Sequence, residues 1–192
     1  MKISVEGLIG VGKSTFVRHF CQQTSYTPLY ESVSDNPFLS RFYEDPKRWA
    51  FTLQMYFLYD RCKNHTEQGD ILLDRSIYGD ICFANILHDQ GTLDSEEYHS
   101  YMSHFNLVES FIPNLDLCIH LHISEEKAME RIAKRNRSFE SDLPLDYLQR
   151  LQYQLFKLPD LLPKETKYIR IDWGDMDEEE IREKTQSIIS SL

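Results

Sequence analysis

Gly7, Gly10, Gly12, Lys13 and Ser14 are spaced for the handling of phosphate. Four residues separate Gly7 from Gly12, and Lys13 and Ser14 follow at once, giving the pattern G-x-x-x-x-G-K-[ST]. The glycines let the backbone curl so that its N–H groups point inward at phosphate oxygens. Lys13 brings a mobile cation to the outer phosphates, and the Ser14 hydroxyl can bind Mg²⁺. A helix opening near Lys13 adds the positive end of its dipole. The whole run from Gly7 to Thr15, with Leu8, Ile9 and Val11 between the glycines, is therefore assigned to a bound nucleoside triphosphate.

Other residues could work on that triphosphate. Asp74 closes an apolar run, where an acid can complete a Mg²⁺ shell with Ser14, directly or through water. Arg75 offers a planar fork of donors for an attacking oxygen, a transferred phosphoryl group or a nearby acid. A surface Asp74–Arg75 ion pair is the plainer alternative. Arg131 and Arg135 share a helix face, and Arg137 lies just beyond. Closing arginines stabilise charge on the equatorial oxygens of a phosphoryl group while excluding water; a solvated basic face is their bland reading. Glu31 ends a short strand, where a carboxylate can reach the proton of an attacking hydroxyl. Gln54 shares a helix face with Phe57 and Arg61. Its amide can read the edge of a base, and the rings of Phe57 and Phe83 can sandwich a planar one.

Positioning these groups takes alternating strands and helices. Residues 2–6 form the first strand, and 13–23 a helix with Phe16, Val17 and Phe20 on one face. Further strands are expected at 27–30, 71–74, 115–123 and 167–171. Helices are expected at 37–43, 46–67, 76–88, 95–112, 125–135, 143–162 and 177–190, with a polar stretch at 136–142. The alternation implies an α/β fold, a five-stranded parallel sheet with helices on both faces. Ligands of such sheets gather at the carboxyl ends of the strands. No repeat or linker divides the chain, so 1–192 reads as one domain.

Composition narrows the partners. The formal net charge of −10 argues against nucleic acid or an anionic membrane, which select for a basic face. No long apolar run or signal segment is seen, and the fold is expected to begin at Met1. Cys21, Cys62, Cys82 and Cys118 show no C-x-x-C spacing and read as reduced thiols, which points to the cytoplasm.

In order and spacing, these motifs resemble the deoxynucleoside kinases. The likeness rests on the phosphate loop, Glu31 after the second strand, Asp74-Arg75-Ser76 after the third, and Arg131-x-x-x-Arg135-x-Arg137 in an arginine-rich lid at about 131–142. It spans about residues 1–155, the order of helices and strands extends it to the end, and it is nearest to the short bacterial and viral members through residues 31–39. It implies a P-loop kinase fold, ATP with Mg²⁺ as donor, and a deoxynucleoside as acceptor. Glu31 is implied as the base for the 5′-hydroxyl proton, with Lys13, Arg75, Arg135 and Arg137 on the transferred phosphoryl group. Tyr43, by its spacing from Pro46 and Trp49, and Glu140 are implied to hold the sugar 3′-hydroxyl. Arg131 is implied to stack on adenine, with residues 172–175 at the position of the adenine loop. An Arg61/Asp80 pair accompanies cytosine and purine recognition in this family. A carboxylate can accept from an exocyclic amino group, which thymine lacks, so deoxyadenosine, deoxycytidine or deoxyguanosine is favoured over thymidine. The family also forms homodimers through long helices such as 47–67 and 95–112.

Two other functions share parts of this pattern. A nucleoside monophosphate kinase, such as a thymidylate kinase, would need extra basic residues in the acceptor pocket, where Glu31 stands instead. A catalytically silent nucleotide-binding subunit should lack the base, the metal acid or the lid arginines, and all are present.

Overall fold

The computed structural model describes residues 1–31, 35–135, 143–174 and 176–190. Arg137, Glu140 and Asp175 lie outside the described residues, as does most of the expected lid.

Burial separates central from edge strands. β1 (Lys2–Glu6), β3 (Ile71–Asp74) and β4 (Leu117–His122) are buried almost end to end. β2 (Thr27–Leu29) and β5 (Lys167–Asp172) carry exposed positions. The sheet order follows, β2-β3-β1-β4-β5, with every neighbouring pair parallel. β1 lies at the centre, Val5 beside Asp74 on one side and Ile119 on the other. That register brings the ends of β1 and β3, with the loops that follow them, to one edge of the sheet.

The helices pack around this sheet. α1 (Lys13–Gln22) packs on α9 (Glu178–Ser190), and α2 (Leu39–Glu44) on α3 (Pro46–Thr66). α4 (Ile77–Asp89) gathers α3, α5 (Ser95–Phe111), α7 (Leu145–Leu155) and the short α8 (Leu158–Leu161), while α6 (Glu125–Arg135) packs on α7. Local chemistry sets the starts. Asp45 caps α3 by accepting from Arg48 N at 3.2 Å, with Pro46 in the first turn. Asp94 and Glu97 form a reciprocal capping box on α5.

Several boundaries differ from expectation. The helix expected over 143–162 ends at Leu155 and restarts at Leu158. Pro159 has no N–H to give and its ring would collide with the preceding turn, so it sits in the first turn of α8. Pro37 lies outside α2, because Asn36 Oδ1 accepts from Phe38 N at 2.9 Å and closes a local turn first. The second strand stops at Leu29, the fourth spans only Leu117–His122, and the fifth runs on to Asp172. No helix among the described residues is long and apolar enough to cross a membrane.

Candidate active site

A cavity of about 860 Å³ opens at the carboxyl ends of the strands. One end is the phosphate loop. Gly7 has φ 146°, and a Cβ there would stand 2.4 Å from the Leu121 carbonyl oxygen, so the loop can leave β1 only through glycine. Gly12 takes the N-cap position of α1 at φ 101° and puts no side chain over the helix start. The first N–H groups of α1 are thus left for an anion. Leu8 and Val11 turn into the core, so they serve the loop through backbone only. Lys13 is buried, and its Nζ donates to the Leu8 and Gly7 carbonyls at 3.2 and 3.5 Å. Burial and then Arg75 lower its ammonium to about 8, against the pull of Asp74, Glu31 and Glu6.

β3 delivers Asp74 to the phosphate loop. Asp74 Oδ2 accepts from Ser14 Oγ at 2.5 Å, joining the third strand to the phosphate loop. Asp74 Oδ1 is buried and makes no hydrogen bond. An orphan carboxylate oxygen beside a hydroxyl is the donor chemistry Mg²⁺ takes. Among the described residues no group of three or more His, Cys, Asp or Glu gathers to hold a metal.

Arg75 is not a surface ion-pair partner of Asp74. It is buried, its Nη2 donates to the Gly7 carbonyl at 3.0 Å, and its Nη1 lies 3.6 Å from Glu6 Oε2. Sequence reasoning gave Glu6 no role. The sequence shows only a charged residue closing the first strand; that it is fully buried is seen in the structure alone.

The other end of the cavity is built by α2, α3 and α4. Glu31 Oε1 accepts from Arg61 Nη2 at 2.8 Å, and Arg61 Nε lies 2.9 Å from Asp80 Oδ2, a charge contact rather than an aligned hydrogen bond. Burial would raise the Glu31 carboxyl, but Arg61, Arg75 and Lys13 outweigh it and hold the group down at about 2. Asp80 moves the other way, pushed up to about 6 by burial against the pull of Arg61 and Arg75. Arg61 itself stands behind the cavity wall, reaching it through these two acids. Gln54 lines the cavity with a buried Oε1 that has no hydrogen bond. Phe57 and Phe83 also line it, each within cation–π reach of a guanidinium, Arg61 at 5.5 Å and Arg75 at 4.7 Å. Tyr43 faces the same space, as does Tyr147 of α7, which sequence reasoning missed because α7 arrives only through tertiary packing.

α6 closes the donor side. Arg131 donates to the Val11 carbonyl at 2.8 Å and the Gly174 carbonyl at 3.0 Å, and Arg135 lines the cavity. Trp173 is fully buried, edge-on to Phe16, and also reaches the cavity wall. The structure therefore brings Ile9, Gly10, Thr15 and every other described candidate to the cavity, except Gly7, Leu8, Val11 and Arg61, which are bonded to residues that line it.

A phosphate loop facing a second, base-sized compartment across one carboxylate is the layout of a phosphoryl-transfer enzyme with a small-molecule acceptor. The chain belongs to the deoxynucleoside kinase family, whose model matches residues 3–192, and it is an enzyme that phosphorylates deoxynucleosides. It is 35% identical to the deoxyadenosine kinase of Dictyostelium discoideum over 196 residues, covering 99% of this chain and 80% of that one. With the deoxyguanosine kinase of Lactobacillus acidophilus it shares 39% identity over 164 residues, 78% of this chain and 71% of the relative. Among solved structures, the deoxyadenosine kinase of M. mycoides with the products dCMP and a flexible dCDP superposes with a TM-score of 0.87 at 27% identity, covering 100% of this chain and 99% of that one. Structures of the same enzyme hold dCTP and dATP, with TM-scores of 0.86.

Proposed function

We propose that the enzyme transfers the γ-phosphoryl group of ATP, with Mg²⁺, to the 5′-hydroxyl of a deoxynucleoside whose base carries an amino group. Deoxyadenosine, deoxycytidine and deoxyguanosine are preferred to thymidine. The observation that carries this is Arg61 set between Glu31 and Asp80, beside an unpaired Gln54 Oε1 in the acceptor compartment. Asp80 and Gln54 together offer acceptors for an exocyclic amino group and donors for its ring neighbour. A base without that amino group leaves a buried acceptor unpaired. The relatives that act on adenine, guanine and cytosine nucleosides support the same choice.

In this reading Glu31, ionised throughout the neutral range, accepts the 5′-hydroxyl proton. Lys13 and the N–H groups at the start of α1 hold the outer phosphates. Arg75, Arg135 and Arg137 take the charge that develops on the transferred phosphoryl oxygens. Ser14 and Asp74 would hold Mg²⁺, which neutralises charge between the outer phosphates when bound. Tyr43 and Glu140 orient the sugar through its 3′-hydroxyl, Phe57 and Phe83 flank the base, and Arg131 with residues 172–174 frames the adenine. The chain acts as one domain over residues 1–192.

A homodimer is part of the proposal. α3 and α5 pack together and leave Tyr59, Leu107 and Phe111 exposed by 66%, 58% and 78%. Leu107 and Phe111 share one helix face, apolar surface that a second copy would cover. Cytoplasmic residence fits four free cysteines. The test is a panel of the four deoxynucleosides with Mg-ATP. Turnover should be highest with amino-bearing bases. Turnover with thymidine monophosphate and none with any nucleoside would reject the reading.

A further inference from the structure

Glu6 takes no part in the scheme above, yet it is a fully buried carboxylate at the last position of β1. A charge so placed is strongly disfavoured unless it is paired and hydrogen-bonded. Its Oε1 accepts from Ser76 N at 2.8 Å and from Ser76 Oγ at 2.6 Å. Its Oε2 lies 3.6 Å from Arg75 Nη1, and the same guanidinium donates to the Gly7 carbonyl at 3.0 Å. The parallel register pairs Val5 with Asp74, so the next residues, Glu6 and Arg75, come level.

Further features around Glu6 point the same way. Ser76 holds the N-cap position of α4, where a serine hydroxyl ordinarily accepts from the first turn of the helix. It makes no such cap and donates to Glu6 instead. A Cβ on Gly79 would stand 2.1 Å from Glu6 Oε2 and 2.9 Å from Arg75 Cγ, so α4 gives up a side chain where the carboxylate sits. Arg75 has φ 81°, alone among the described non-glycine residues in being left-handed. Such a conformation persists only where the surroundings enforce it. Burial pushes the Glu6 carboxyl up, and Arg75 and the Ser76 donors pull it back.

We propose that Glu6 is a positioning residue for phosphoryl transfer, locking the Asp74-Arg75-Ser76 turn against the phosphate loop and aiming Arg75 at the reacting group. This rests on the reading that Arg75 acts on the transferred phosphoryl oxygens. The test is steady-state kinetics and melting temperature of the intact enzyme as Glu6→Gln, Arg75→Ala and the double variant. Glutamine keeps the length and the Ser76 bonds but removes the charge opposite Arg75. Glu6→Gln should lower kcat about 10- to 100-fold while both KM values stay within about threefold. In the Arg75→Ala background it should add no further loss. A wild-type kcat in Glu6→Gln, with only the melting temperature moved, makes Glu6 merely structural and overturns the proposal. Losses that add in the double variant also overturn it, since Glu6 would then not act through Arg75. An unchanged kcat in Arg75→Ala alone rejects the role of Arg75 and the proposal with it. Ser76→Ala removes only the Oγ donor and keeps the test open if the Glu6 variants fail to fold. It should lower kcat by a smaller factor at unchanged KM, and a wild-type kcat there counts against the clamp.

Discussion

Arg61 Nη2 stands 2.8 Å from Glu31 Oε1, and the Nε of the same guanidinium lies 2.9 Å from Asp80 Oδ2. One cation serves two acids, Glu31 and Asp80. In the function proposed above, Glu31 serves the reaction and Asp80 the base, so recognition and chemistry would be coupled through this single buried side chain.

That coupling has a pH signature. A carboxylate works as a base only above its own pKa, so activity falls as pH drops through that value. Glu31 lies at about 2 because Arg61, Arg75 and Lys13 outweigh burial. Asp80, at about 6, is likewise pulled down by Arg61. Arg61→Met removes that pull from both acids, so the acid limb of kcat/KM should move to higher pH. With Glu31 at about 2, the wild-type profile should show no limb from Glu31 above about pH 4, whereas the variant's limb should rise toward the ordinary carboxylate range. Profiles carried down to the lowest pH at which both proteins stay folded check this. Superimposable limbs would disprove the pairing.

Base choice and stability should change together. Arg61→Met leaves the buried Asp80 and the partly buried Glu31 without their shared cation, and breaking a buried pair such as Arg61–Asp80 costs roughly 3–5 kcal/mol. Adding Asp80→Ala removes one stranded charge, so the double variant should melt higher than Arg61→Met alone. Both variants should shift preference toward thymidine. An unchanged ranking of the four nucleosides would show that Arg61 and Asp80 do not read the base.

Glu31→Gln should lower kcat by about 10²–10⁴ and change the nucleoside KM little, as expected when a positioned general base is lost. Arg61 keeps Asp80 as a partner, so the variant should stay folded. A kcat equal to wild type removes Glu31 from proton transfer.

Asp74→Asn keeps an acceptor for the Ser14 hydroxyl but loses a negative charge at the proposed Mg²⁺ position. The Mg²⁺ concentration giving half-maximal rate should rise, with a lower kcat at saturating ATP. Titration of Mg²⁺ at fixed ATP measures it, and an unaltered midpoint would assign the ion to other groups.

The donor half was the more legible part of the sequence. The phosphate loop is local chemistry, with its strand, glycines and helix contiguous, and Asp74 declares itself by closing a fully apolar run. Its contact with Ser14 spans 60 residues but follows from two adjacent parallel strands ending together. The Glu6–Ser76 bonds and the left-handed Arg75 were not legible, because they depend on strand register and on the space left by Gly79. The break between α7 and α8 was missed because apolar spacing continues through it, although Pro159 carried the warning. Tyr147 reaches the cavity by the packing of α6 and α7, which no local pattern encodes.

The chain has two tryptophans. Trp49 lies half-buried on α3, stacked on Phe38 and flanked by the guanidiniums of Arg41 and Arg48. Trp173 is sealed from solvent, with its indole nitrogen 3.3 Å from where a Cβ on Gly12 would stand. In Trp49→Phe, all indole emission would come from a single fluorophore set into the wall of the phosphate loop. Arrival of a triphosphate could then be timed optically, without a label and separately from arrival of the nucleoside.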